Sequence, residues 1–277
     1  MSLDLSTIGF KTEPHVFTYD WKTAVLYGLG IGAKKSELDY LYEGRGPKVF
    51  PTFGVIPAYG PVSELFQKTN CDMTRLVHGA QSLRVHRPLP PAGTLHSVGI
   101  IRGIYDMKKL AQVVLETKTT LNGEPVFDTE WQLLVRDAGG FGGERPPKSD
   151  APKIGDATPT FDRTETTTPE QALLYRLSGD LNPLHADPAF ASMAGFEQGP
   201  ILHGLCTYGF VARAVIAEVC GGDASRLKGL TAQFRKPVWP GETIRTVGYD
   251  LGNGRIALQA FAGGREDAVI TGAFAEV

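Results

Sequence analysis

At 277 residues the chain is long enough for one large domain or two of about 140 residues. Its 28 Lys and Arg against 30 Asp and Glu leave a net charge of −2 with no long run of either sign, which excludes bulk electrostatic attraction for nucleic acid. At 42% hydrophobic and 21% charged it has globular composition, and no stretch approaches the roughly 18 uninterrupted apolar residues of a membrane span.

The N-terminus Met1-Ser2-Leu3-Asp4-Leu5 meets charge before any signal-peptide core could form. Cys71, Cys206 and Cys220 are odd in number and lack metal-ligand spacing. Together these lead us to expect a cytoplasmic protein with no metal site. The C-terminal Phe274-Ala275-Glu276-Val277 carries no peroxisomal Ser-Lys-Leu address, so that compartment is not supported.

Along the chain, a short helix is expected around Ala24–Leu29. A longer helix should follow, yet Phe53–Pro61 is interrupted by Gly54, Pro57, Gly60 and Pro61. Strands are predicted at Arg75–Val85, Thr94–Ile104, Ala111–Leu121 and Val126–Val135, with Asn122-Gly123 as a hairpin turn. The Gly/Pro-rich stretch Asp137–Asp150 reads as a seam.

After the seam, Thr168 is expected to cap a helix through Leu177, with Pro169 and Glu170 in its first turn. His203–Val219 is the longest predicted helix. Its apolar positions Leu205, Tyr208, Val211, Ala212, Val215, Ile216 and Val219 recur at three and four, enough to bury nearly one whole side. Strands at Leu227–Phe234, Thr243–Leu251, Arg255–Phe261 and Ala268–Ala275 follow.

The two halves resemble each other. An offset of 149 lays Arg87–Gly99 on Lys236–Gly248 without a gap, repeating Pro88, Pro91, Thr94, Val98 and Gly99 as Pro237, Pro240, Thr243, Val247 and Gly248. An offset of 148 lays Ala24–Leu29 on Ala172–Leu177. Two related domains are therefore expected, 1–145 and 155–277. The interrupted helix of the first would leave room for a ligand.

The chemistry-bearing segment is Tyr175-Arg176-Leu177-Ser178-Gly179-Asp180-Leu181-Asn182-Pro183-Leu184-His185. Asp180, Asn182 and His185 lie within six residues on a bend, where a carboxylate and an imidazole can share the general-acid and general-base roles needed to add or remove water at a polarised double bond. The plainer alternative is that Asp180 and Asn182 form Asx turns and Asp187 caps the next helix. The duplication weighs towards chemistry, since Gly32 stands at the position equivalent to Asp180. A turn needed by the fold should recur in both copies, whereas a reactive cluster need occur once.

A second candidate is Gly204, at the start of the long helix, whose N–H can receive negative charge developing on an oxygen. Close packing of the helix start by Gly204, with His203 as a cap, is the alternative. His15, His78, His86 and His96 read as structural or surface residues. Arg84, Arg87, Arg235 and Lys236 lie near the Pro-rich turns, where they could hold phosphate or simply be solvated.

With these residues in place, the chain resembles the MaoC-like (R)-specific enoyl-CoA hydratases, the hydratase 2 family. The resemblance rests on Gly179-Asp180-x-Asn182-Pro183-x-His185, Phe190–Phe196, Pro200–Gly209 and Ala24–Ala33. One departure is that Glu197-Gln198-Gly199-Pro200 is a residue longer than usual. The resemblance implies an α+β double hotdog, two antiparallel sheets each wrapped around a helix, with the first domain housing the acyl chain.

It also implies Asp180 and His185 as catalytic pair, Asn182 as a water holder, the Gly204 amide as oxyanion donor, and a homodimer needing no cofactor. The reaction implied is reversible hydration of trans-2-enoyl-CoA to the (3R)-3-hydroxyacyl-CoA. Arg235 and Lys236 are the candidates for the phosphates of CoA. A thioesterase on the same fold and a non-catalytic acyl-CoA binding protein are the competing functions.

Overall fold

The structure is a computed structural model that describes residues 3–277. In chain order its elements are β1 (His15–Tyr19), α1 (Trp21–Gly30), α2 (Leu38–Leu41), α3 (Tyr59–Lys68), β2 (Leu76–Val85), β3 (Gly93–Met107), β4 (Leu110–Leu121) and β5 (Glu124–Arg136). Then follow β6 (Phe161–Thr166), α4 (Gln171–Tyr175), α5 (Pro188–Met193), α6 (Gly204–Glu218), β7 (Gly229–Phe234), β8 (Thr243–Asp250), β9 (Arg255–Ala262) and β10 (Ile270–Glu276). Among the described residues no helix is long and apolar enough to cross a membrane.

Two compact units form. Among the described residues, the first gathers 3–18, 54–87 and 94–151, and the second gathers 19–53, 88–93 and 152–277. Strand order in the first is β1-β3-β4-β5-β2, and in the second β6-β8-β9-β10-β7. Raising each strand number by five converts one order into the other, which gives the sequence duplication its structural form. With a helix against the antiparallel strands of each unit, the chain is an α+β double hotdog.

The eight predicted strands form within a few residues of their expected bounds, while β1 and β6 were not anticipated. Both alternate weakly in composition. In β6, Phe161-Asp162-Arg163-Thr164-Glu165-Thr166, inward and outward positions alternate but only Phe161 is a large apolar residue.

The helix of the first unit also differs from expectation. Phe53–Pro61 does not leave an empty helix position: a 3-10 turn covers Pro51–Val55, α3 starts at Tyr59, and Phe53, Val55, Ile56 and Ala58 are all buried. Pro61 sits in the first turn of α3, where its missing N–H has no intrahelical bond to lose. Leu65 of α3 lies over Gly99 of β3, where an added Cβ would come within 2.8 Å of it.

In the second unit α6 is buried on every side from Leu205 to Ile216, more than the single face its periodicity suggests. The sheet covers part of it, and Tyr208 Oη donates to the Leu230 carbonyl of β7 at 2.6 Å. The segment after α1 covers another part. Gly209 of α6 has room for no side chain, since a Cβ there would stand 2.3 Å from Cγ2 of Ile31.

Candidate active site

Helices α1 and α4, matched by the sequence repeat, pack together in the second unit. Gln171 Nε2 donates to the carbonyls of Leu29 (3.1 Å) and Gly30 (2.7 Å), satisfying the end of α1. Thr168 does not cap α4 as expected; the N-cap position is Glu170, without a side-chain bond, and the main-chain carbonyl of Thr168 accepts from Gln171 N–H.

A 3-10 turn, Arg176–Ser178, continues α4 and ends at Gly179 with φ 130°, a conformation that excludes most side chains. Asp180 Oδ1 accepts from the Asn182 N–H at 3.3 Å, and Asn182 Oδ1 accepts from the Leu184 N–H at 3.0 Å. Both Asx turns therefore exist. They also deliver His185 to the interior at the end of a second 3-10 turn, Pro183–His185, while Asn182 itself is exposed. Asp187 caps α5 through Ala189 N–H at 2.8 Å, as expected.

The buried His185 donates through Nδ1–H to the Ile201 carbonyl at 2.8 Å, which leaves Nε2 as the nitrogen able to exchange a proton. Burial holds its pKa below the ordinary histidine range, opposed by the charge of Asp180 and by the bond to Ile201. His185 is thus neutral at pH 7. The strand of chain that carries Ile201 is anchored by Leu202 N–H on the Val238 carbonyl at 2.7 Å, inside the repeated Pro237–Pro240 turn.

His203 is placed differently from its expected role as a side-chain cap. Its backbone occupies the N-cap of α6, but its ring makes no capping bond. The fully buried ring instead stacks on His185, with centroids 3.7 Å apart and planes 25° apart, and its Nε2–H donates to the Asp180 carbonyl at 3.2 Å. Burial first, and the neighbouring His185 and Arg176 next, push its pKa down to about 2. The sequence signals for this residue were its place in the family-like segment Pro200–Gly209 and its position before the helix-opening glycine.

Asp180, His185 and His203 each bring one side-chain donor atom within 4.8 Å of the others. Three converging donor atoms match the count of a catalytic metal site with an open position, a convergence that the sequence spacing did not foretell. As an acid–base group they are complete, with a carboxylate, a neutral imidazole able to take a proton, and a second neutral imidazole behind it.

Gly204 opens α6, so its N–H has no carbonyl one turn behind it within the helix. A Cβ at Gly204 would stand 3.3 Å from Phe234 Cδ1, so close packing there is real as well. Arg235 and Lys236 are exposed and engaged locally: Arg235 Nε donates to Thr271 Oγ1 at 2.8 Å, and Lys236 pairs with Asp267 at 3.3 Å. In the link Glu197–Pro200, Gly199 adopts φ 105°.

Three further histidines make contacts within the first unit: His15 pairs with Glu64 at 2.8 Å, His86 with Asp128 at 3.0 Å, and His78 stacks on Trp131.

Comparison with known proteins agrees with this arrangement. The model of the MFE-2 hydratase 2 N-terminal domain matches residues 17–137, and that of the MaoC like domain matches residues 151–269. The chain is 40% identical to 3-hydroxyacyl-thioester dehydratase Y of Mycobacterium tuberculosis over 97% of this chain and 94% of that one. It is 38% identical to the peroxisomal enoyl-CoA hydratase 2 of Arabidopsis thaliana, over 83% and 81% of the two chains.

Among solved structures, a MaoC-like dehydratase from Phytophthora capsici superposes with a TM-score of 0.90 at 30% identity, covering 99% of this chain and 97% of that one. Identity at this level over most of the chain, with family models matching both halves, means that this chain belongs to the MaoC-like hydratase 2 family.

Proposed function

We propose that the chain catalyses reversible hydration of a trans-2-enoyl-CoA to the (3R)-3-hydroxyacyl-CoA. The observation that carries this reading is the convergence of the Asp180 carboxylate with the neutral imidazole of His185, whose Nε2 is free to exchange a proton. The names of the relatives, a dehydratase of hydroxyacyl thioesters and an enoyl-CoA hydratase, agree with it.

In the hydration direction the Gly204 N–H receives the thioester oxygen, drawing electron density from the β-carbon. Water held between Asp180 and His185, with Asn182 at the rim, gives one proton to the pair while its oxygen bonds to the β-carbon. The resulting enolate takes a proton at the α-carbon from the same pair. One water is consumed, and the pair returns to its starting protonation. Either Asp180 or His185 can serve as the base in this scheme.

Arg235 and Lys236 are the proposed contacts for the phosphates of CoA, and binding requires Lys236 to exchange Asp267 for phosphate. The first unit houses the acyl chain in this reading, which also takes the active form as a cytoplasmic homodimer. Light scattering on the purified protein checks the dimer.

The test follows the loss of crotonyl-CoA absorbance, with a (3R)-specific dehydrogenase coupled to the product. The expected result is hydration by the wild type and a loss of about 10²-fold or more in Asp180→Asn and in His185→Ala. Unchanged rates in both variants, or release of free CoA thiol in place of hydration, would overturn the assignment.

A further inference from the structure

We propose that His203 is a positioning residue, which holds the His185 ring and the Asp180 main chain in register for proton exchange. The inference rests on the hydratase reading above. It starts from three contacts made by one side chain: the stack on His185 at 3.7 Å, the Nε2–H bond to the Asp180 carbonyl at 3.2 Å, and a tilted approach to the Tyr175 ring at 4.9 Å. His203 thereby touches both members of the pair and, through its own main chain, leads directly into Gly204.

The tautomer follows from the partner. A carbonyl oxygen can only accept, so Nε2 carries the proton and Nδ1 carries the lone pair. Nδ1 is buried and has no hydrogen-bond partner. A residue kept only to fill this space would avoid an unpaired buried acceptor, because an apolar ring of the same shape leaves nothing unsatisfied. What a histidine adds over such a ring is the N–H that grips Asp180.

The stacked ring also covers one face of His185. The other charged and titratable groups facing the two rings are Asp180, Arg176 and Tyr175, with the Ile201 carbonyl on His185 Nδ1. Asp180 favours protonation of His185, and burial, to which the His203 ring contributes, opposes it. Removing the ring while keeping an N–H therefore moves the His185 titration upward. Removing the N–H while keeping a ring leaves the titration in place and frees the Asp180 main chain.

The two variants that separate these effects are His203→Gln and His203→Phe. For each, kcat and KM for crotonyl-CoA hydration are measured from pH 5 to 9, and the His185 ring titration is followed by NMR, with a thermal melt as the folding control. In both variants kcat is expected to fall about 10- to 100-fold with KM within about threefold, the size of effect that a small misplacement of reacting groups produces.

The His185 titration and the matching limb of the kcat/KM profile are expected to rise in His203→Gln and to stay at the wild-type position in His203→Phe. Wild-type rates in both variants, or rate losses that merely track lowered melting temperatures with the titration unmoved in His203→Gln, overturn the proposal. Absence of hydration in the wild type removes the functional reading and this proposal with it, whereas wild-type hydration with unaffected variants removes the proposal alone.

Discussion

The side-chain amide of Gln171 donates to the main-chain carbonyl of Gly30 at 2.7 Å, joining the first turn of α4 to the last residue of α1. The same amide reaches the Leu29 carbonyl, and Cys206 Sγ in α6 approaches the Gly30 carbonyl at 3.2 Å. Three elements from distant parts of the sequence therefore share one buried helix end. The turn carrying Asp180 is the direct continuation of α4, so the position of that carboxylate depends on this junction.

Gln171→Met keeps the volume but leaves the Gly30 carbonyl with only the Cys206 thiol, and removes one donor from the Leu29 carbonyl, which still accepts from the Gly32 N–H at 2.9 Å. The expected loss is about 1 kcal/mol in a urea melt, the net worth of a buried hydrogen bond whose acceptor keeps a weaker donor. Hydration of crotonyl-CoA should also slow, with the drop in kcat exceeding any rise in KM, because the reacting groups shift while the binding surface stays. A stability loss without a kcat change would show that the junction does not position the turn.

Arg213, 1% exposed at its side chain, lies on α6 between two carboxylates. Its guanidinium pairs with Glu165 of β6 at 3.0 and 3.2 Å and with Glu37 through Nε at 3.1 Å and through Nη2, and a further N–H reaches the Ile31 carbonyl at 3.3 Å. Arg213→Met leaves Glu37 partly buried without its cation and Glu165 with Arg163 alone, at 3.2 Å, and should destabilise by about 3–5 kcal/mol. Neutralising both partners in Arg213→Met/Glu37→Gln/Glu165→Gln should recover part of that loss. Denaturant midpoints of the two variants, compared at equal slope, check the prediction.

Stability should fall as the pH drops below about 6.5, the ordinary histidine value that His203 has in the unfolded chain. The sign follows from its folded pKa of about 2: between those limits the unfolded state binds a proton that the folded state does not, so unfolding gains. At pH 5 the contribution depends almost wholly on the unfolded value and amounts to about 2 kcal/mol. His185, also held below its ordinary range, acts in the same direction. Urea melts at pH 7 and pH 5 measure the difference, and His203→Phe should show a shallower decline.

Much of this was legible in the chain itself. The repeat at offsets of 148 and 149 foretold two units of like construction, and Pro88/Pro237 and Gly99/Gly248 do sit at equivalent places beside β3 and β8 or within them. The span of α6 and eight strands followed from periodicity, because apolar spacing records which side of an element is buried. Asp180, Asn182 and His185 were legible because a turn brings close neighbours in sequence to one place.

What tertiary structure decided lies between residues far apart in the chain. Nothing local indicates that residues 19–53 pack with the second unit, or that Glu37, Glu165 and Arg213 meet. The strands β1 and β6 escaped notice because each lies at the outer end of its unit's strand order, where little apolar alternation is required. The helix at Tyr59 formed despite its Gly and Pro because these fall in or before its first turn, where the backbone has no intrahelical N–H bond to lose. His203 became part of the site only when packing laid its ring on His185: sequence periodicity reports burial, but the partner of a buried polar group is set by the neighbour that the fold brings to it.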